Sequence, residues 1–221
     1  NAADLDYVAT NSLTLNGATI RDAAGNDATL TLAAPGAATS LGANKALIVD
    51  TSVPTVTNVT ATTANGSYKA SDVIAISVVF SEVVIVAGGT PQLTLNVGGS
   101  DVVVDYTSGS GTDTWIFNYT IAAGQTDSDG LDYKNTTSLA LNGATIRDAA
   151  DNDATLTLAA PGAANSLGAN MTLIVDTTVP TFSKAWQYDT DGNGNIDEIV
   201  VEMNEAIDDA SVDFSDFSLG S

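Results

Sequence analysis

The chain copies itself, and this constrains its fold more than any other feature. Residues 5–55, "LDYVATNSLTLNGATIRDAAGNDATLTLAAPGAATSLGANKALIVDTSVPT", return as residues 131–181, "LDYKNTTSLALNGATIRDAADNDATLTLAAPGAANSLGANMTLIVDTTVPT". The offset is 126 with no gap, and 42 of the 51 positions are identical. Such a chain has to be built from units stacked in tandem rather than from one folded whole. One complete repeat is expected over residues 51–176. Residues 1–50 then form the C-terminal half of a preceding repeat, and residues 177–221 the N-terminal part of a following, divergent one. In that last part "IDEIVVEMNEAI" lines up loosely with "VIAISVVFSEVV", setting Met203 against Phe80 and Glu205 against Glu82. "VDTSVP" and "VDTTVP" read as short linkers stiffened by Pro54 and Pro180. The chain is expected to be a segment of a longer protein. Residues 1–50, lacking strands equivalent to 56–121, are expected either to fray or to dock on a neighbour.

Within the complete repeat the apolar residues alternate with a period of two. Ile74, Ile76, Val78 and Phe80 share one strand face, and Leu93, Leu95 and Val97 another. Trp115, Phe117, Tyr119 and Ile121 line a third, placed at the heart of the core. Further short strands are expected in "DVVVDY", "SLAL", "ATI", "TLTL" and "TLIVD". Asn142-Gly143, like Asn16-Gly17 before it, signals a hairpin turn, and "TSGSGTDT" a tight connection. No amphipathic helical pattern persists for three turns. The expected fold class is all-β, an antiparallel β-sandwich.

Composition narrows function by exclusion. With 27 acidic residues against 6 basic ones the formal charge is −21. A polyanion of this kind is repelled by nucleic acid and by anionic membranes, so neither is expected as a partner. Histidine and cysteine are absent. That removes Ser-His-Asp and Cys-His nucleophiles, His- or Cys-built zinc sites, and haem or iron–sulfur ligation. At 44% hydrophobic, with clear alternation, the chain is too apolar for a disordered polyanion. No apolar run reaches the length of a membrane-spanning helix.

"YKASDVIAISVVFSEVV", "GTPQLTLNVGG", "VDYTSGSGTDTWIFNYTIAAGQ" and "LNGATIRDAAGNDATLTL" resemble the Ig-like, cadherin-like repeats of large bacterial surface and secreted proteins, long repetitive adhesins among them. The resemblance covers nearly the whole chain, and the segment from Lys184 onward departs from it. It implies an Ig-like sandwich serving as an extracellular or cell-surface spacer for adhesion, often stiffened by calcium. The implied partners are neighbouring repeats of the same chain, with any cell-surface or glycan ligand held by other domains.

One stretch carries a metal motif of its own. "DTDGNGNID" fits the calcium-loop pattern D-x-[DN]-x-[DN]-G up to its last position. Asp189, Asp191 and Asn193 would supply side-chain oxygens and Asn195 a backbone carbonyl. Gly194 allows the sharp turn, and Asp197 would bind directly or through water. The twelfth position, normally a bidentate Glu, is Val200, so Glu198, Glu202, Asp208 or Asp209 would have to close the shell. The flanking helices of an EF-hand are missing, and the loop reads as a staple between strands, not a sensor. The competing reading is an acidic turn held by Asp and Asn alone.

Weaker candidates lie in the repeat: Glu82, Asp129 and Asp132, the group Asp148, Asp151, Asn152 and Asp153, and Asp176 in the linker. They would form a junction site only if the fold gathered them; Asp and Asn also simply build turns, and Arg147 beside Asp148 reads as a local ion pair. Trp115 and Trp186 are the aromatic platforms open to a carbohydrate- or protein-binding role, Trp115 fitting the core better. No carboxylate pair sits in a recognisable glycosidase arrangement, and an enzyme is not expected.

Overall fold

A computed structural model describes residues 4–208 and 211 of the 221. A one-turn helix α1 (Leu41–Asn44) precedes strands β1 (Val56–Ala61), β2 (Gly66–Tyr68), β3 (Val73–Gly88), β4 (Gln92–Val97), β5 (Ser100–Ser108) and β6 (Thr112–Thr120). Then come the short β7 (Thr126–Asp127), β8 (Asp132–Tyr133), β9 (Leu139–Ala140) and β10 (Ala144–Arg147), and a second turn of helix, α2 (Leu167–Asn170). Strands β11 (Leu173–Asp176), β12 (Phe182–Tyr188) and β13 (Glu198–Met203) complete the described elements.

The described residues form an all-β arrangement of several sheets. Eight strands make one curled sheet in the order β1-β3-β6-β5-β4-β8, with β10 on β3 and β9 on β4. A small sheet β2-β11-β7 and the hairpin β12-β13 stand apart. The large sheet curls on itself, where a β-sandwich of stacked sheets is expected. The cause is visible in β3, sixteen residues long, whose pairing with β6 slips between Val79 and Val84. Beyond the slip β3 takes β10 as its partner, while β5 follows β4 up to Asp105 and joins β6 from Tyr106 onward. A bulge bends the strand and lets one sheet wrap around its own core.

That core is the one the alternation marks. Ile74, Ile76, Val78, Leu93, Leu95, Trp115 and Phe117 have no exposed surface. Trp115 packs on Phe80 at 4.7 Å and on Tyr106 at 5.1 Å between ring centroids. Residues 131–175 close the other side with Leu131, Tyr133, Leu139, Ile146, Leu158, Leu167, Leu173 and Val175.

Two local expectations are corrected. Asn142 and Gly143 both have positive φ, 44° and 79°, and Ala144 N–H closes the turn on the Leu141 carbonyl. Yet the turn makes no hairpin: β9 before it pairs with β4, and β10 after it with β3. "TLTL" at 155–158 forms no strand, only an isolated bridge from Thr155 to Thr55.

The hairpin β12-β13 repeats β1-β3 residue for residue. Val56 faces Phe80 and Phe182 faces Met203; Val59 faces Val78 and Ala185 faces Val201; both ladders slip at the same place, after the first pair. The junctions match as well. Ser81 N–H donates to the Thr55 carbonyl and Thr55 N–H to Ser81 Oγ; Asn204 N–H donates to the Thr181 carbonyl and Thr181 N–H to Asn204 Oδ1. Glu205 therefore occupies the place of Glu82.

Candidate metal centre

Among the described residues two groups of three carboxylates converge, each with ligand oxygens within 4.8 Å of one another: Asp189, Asp191 and Asp197 in one, and Asp50, Glu82 and Asp148 in the other.

The first lies in the exposed loop joining β12 to β13. Asp189 is the organiser: its Oδ1 accepts N–H bonds from Gly192 (2.7 Å) and Asn193 (3.2 Å), and its Oδ2 one from Gly194 (2.8 Å). Gly192 and Gly194 reach φ of 72° and 85°, a region that suits glycine. Asp197 Oδ2 accepts from Thr190 N–H at 2.7 Å and Thr190 Oγ1 at 2.6 Å. These donors hold both carboxyls below the ordinary range, through Gly194 N–H foremost for Asp189 and the Thr190 hydroxyl for Asp197. Asn193 turns its amide to Asp191 Oδ2, and its own oxygen accepts from both the backbone and the side chain of Asn195. The three aspartates thus share a focus, while Asn193 and Asn195 brace the turn.

The shell-closing candidates lie elsewhere. Glu202 faces Lys184 at 3.8 Å, Glu198 pairs with Tyr188 on the strand ladder, and Val200 faces Trp186. Asp208 is not among the clustered carboxylates, and Asp209 lies outside the described residues.

The second group sits where the linker enters the complete repeat. Asp148 is 5% exposed and fully tied: Oδ1 accepts from the N–H groups of Ala150 and Asn152, Oδ2 from Asn152 Nδ2, all at 2.8 Å. These bonds, the Asn152 side chain first, depress its pKa. Asn152 Nδ2 also donates to the Asp50 carbonyl at 3.2 Å, fastening linker to loop. Asp50 Oδ1 accepts from Ser52 N–H at 2.9 Å. Glu82, half-buried at the end of an apolar strand run, accepts no such bond from the described residues; burial raises its pKa, and Asp50 and Asp148 raise it further. Three acids lie around one point, and a hard cation held among them would remove their repulsion.

The other candidates separate. Asp153 pairs with Arg147 at 2.6 Å, which corrects the expected Arg147–Asp148 pair. Asp151 closes its own turn, its N–H donating to the Asp148 carbonyl. Asp129 and Asp132 line a different cleft of ≈ 500 Å³ with Asp127, where Asp132 Oδ2 accepts from Gly162 N–H. Asp127, buried at 4% exposure and accepting from Gly98 and Gly130, was not singled out by sequence. Asp176 lies at the next junction, in a cleft of ≈ 370 Å³ with Glu205 and Thr178. There Thr178 N–H binds Asp176 Oδ1 as Ser52 binds Asp50, and Glu205 Oε1 is buried without a hydrogen-bond partner. Asp50 is the residue that sequence reading missed. Its signal was the repeat itself, since it stands 126 positions before Asp176.

Trp115 is fully buried and offers no platform; Trp186 is 42% exposed on β12, with Lys184 Nζ at 6.0 Å from its ring. Among the described residues no helix is long and apolar enough to cross a membrane. Comparison with protein-family models, with curated protein sequences and with solved structures found no match.

Proposed function

We propose that this chain is an extender: a run of Ig-like repeats that sets distance at a cell surface or in a secreted adhesin, with calcium limiting the bend between units. The observation that carries the reading is the repetition of the junction itself. Linker acid, strand glutamate and turn-closing bonds recur at residues 50–82 and 176–205. A spacer needs identical joints, whereas a catalytic site gains nothing from copying its hinge. Asp50 belongs to the linker, Glu82 and Asp148 to the repeat that follows, so an ion shared by the three ties one unit to the next. The 189–197 loop adds a second clamp, within a hairpin.

The energetic logic is linkage. An ion bound only by the folded, straight form stabilises it by RT ln(1 + [Ca]/Kd), about 2.7 kcal/mol at a hundredfold excess over Kd. Millimolar calcium, found outside cells, suits sites built from a few carboxylates. The test is small-angle scattering of the chain in EGTA and in calcium. A longer, narrower distance distribution with calcium supports the reading; superimposable curves end it. A second reading, glycan binding through an exposed aromatic, rests on Trp186 alone, and a glycan array on the wild type and on Trp186→Ala separates it.

A further inference from the structure

We infer that the cleft between β5 and β6 is a docking site for an extended segment of another protein, added as a strand along β5 with a basic residue opposite Asp105. The two strands pair only at Tyr106 with Phe117 and Ser108 with Ile116. Away from that crossing they part: residues 100–105 follow β4 and residues 118–120 follow β3. Among the described residues no strand fills the ≈ 510 Å³ between them. Both walls, and the strands behind them, lie within the complete repeat. Asp50, Glu82 and Asp148 do not line the cleft, so docking stands apart from the junction.

Backbone direction suits the cleft to a strand. Thr94, opposite Val103, directs both its groups to its far side, the N–H to the Ser138 carbonyl and the carbonyl to Lys134 N–H. Residues of such an antiparallel pair turn away from each other, so Val103 points its N–H and C=O into the cleft, and Asp105, two residues on, does the same. Across the gap Ile121 N–H is bonded to the Asp72 carbonyl on the β3 side, so Asn118 and Thr120 face the cleft. There Asn118 N–H meets the Thr107 hydroxyl, at 3.3 Å, in place of a strand. Outward rows of N–H and C=O groups are a template for one more strand.

Side chains define the occupant. Val102, Val104, Tyr106 and Tyr119 line the cleft from the core side, while Val103, 55% exposed, stands on the outer face between Asp101 and Asp105. A docked strand therefore sets apolar residues inward and its alternate residues beside the two aspartates. Asp101 already has Lys134. Asp105 has the Gln92 amide at 2.8 Å and, among the described residues, no ion pair. The same carboxylates exclude a second copy of this chain. Two β5 edges paired antiparallel about Val103 would set Asp101 of each against Asp105 of the other, in a chain of net charge −21. A basic segment with alternating apolar residues meets no such repulsion.

The experiment titrates the full chain with the end-blocked peptide Val-Lys-Val-Thr-Val-Lys-Val and with two controls, one carrying Glu for both Lys and one Pro for the central Thr. Fluorescence polarisation follows the labelled peptides, and hydrogen exchange follows the protein. The lysine peptide should bind saturably and slow exchange of amides 103, 105 and 120 by about tenfold. The proline peptide, equal in charge but lacking the central N–H, should bind about tenfold more weakly. Asp105→Lys should weaken the lysine peptide by about tenfold and favour the glutamate one. Val103→Pro removes an N–H that β4 does not use, so the variant should fold and lose the peptide. Should it not fold, the control peptides on the wild type still decide. The inference is overturned if the lysine peptide does not saturate by about 1 mM, or if protection appears away from β5 and β6. It also falls if the proline peptide binds equally well, leaving only attraction to an acidic surface, or if Asp105→Lys changes neither charged peptide.

Discussion

Residues 5–50 and 131–176 are close to the same sequence in two situations, one without a partner sheet and one with it. Their turns are alike. Arg21–Asp27 and Arg147–Asp153 both meet at 2.6 Å, and Asp22 and Asp148 accept the same bonds from Asn26 and Asn152. Their strands are not. The second copy supplies β8 to β11, and the first has no strand, only bridges, turns and the one-turn helix α1. Turn chemistry, capping and short ion pairs are therefore properties of the local sequence, while strands exist only where a neighbouring ladder satisfies their edge. Burial of Tyr133 pushes its phenol up to about 12; the Tyr7 phenol is raised as well, also by burial foremost, without a closed core above it.

The contrast is broken most forcefully by truncating the same side chain in both halves. Leu173→Ala removes a fully buried leucine and should cost about 2–5 kcal/mol, lowering the melting temperature by roughly 10 °C or more. Leu47→Ala, at a half-open site, should change the cooperative transition by less than about 0.5 kcal/mol. Calorimetry of the two variants decides it; equal shifts would mean that residues 4–50 belong to the cooperative core after all.

Calcium sharpens a second contrast, between the junction and the 189–197 loop. Both should gain protection from hydrogen exchange when the ion is added after EGTA, and the whole chain should melt up to about 10 °C higher at saturating calcium. Asp189→Asn should abolish the gain in the hairpin and leave the one around residues 50, 82 and 148. A gain lost at both places would show that only one of the two clusters holds an ion.

Next in size is the effect of Glu82, whose sign is opposite to that of Asp148 beside it. Its folded-state pKa is raised from 4.5, so the folded form resists ionisation and stability falls as pH climbs through that raised value. Asp148, Asp189 and Asp197 are depressed from 3.8; they contribute stability above that value and lose it as pH drops below. Without calcium, Glu82→Gln should therefore melt higher than wild type at pH 7, by on the order of 3 °C, and the two should converge near pH 4.5. With calcium the order should reverse if Glu82 is a ligand, since the variant would then lack it. Thermal melts at the two pH values, with and without the ion, check both signs.

How much of this was legible follows from which interactions are local. The buried face from Ile74 to Phe80, the Trp115 strand and the focus of Asp189, Asp191 and Asp197 are written in alternation and loop spacing. Glu82 and Asp148 were readable as candidates, but their meeting with Asp50 depends on Thr55 bridging Thr155 and on Asn152 reaching the linker, contacts about 100 residues apart. The failure of Asn142-Gly143 to make a hairpin has the same origin. The turn is local and was seen, but the partners of β9 and β10 are set by β4 and β3. The curl of the large sheet depends on the slip between Val79 and Val84, where no glycine or proline marks the sequence.

The smallest effect isolates what the two copies share. Arg147 and Arg21 are about half exposed and their aspartate partners about three-quarters, so each pair works in high dielectric and contributes little. Arg147→Ala should lower the melting temperature by no more than about 2 °C. The informative readout is local. If the pair only holds its loop, the arginine variants should loosen amides 22–28 and 148–154 by the same factor in hydrogen exchange, although one loop is docked and the other is not. A much larger loss around 148–154 would mean that the Arg147 pair helps to position Asp148 for the junction, and the turn could no longer be treated as independent of the fold around it.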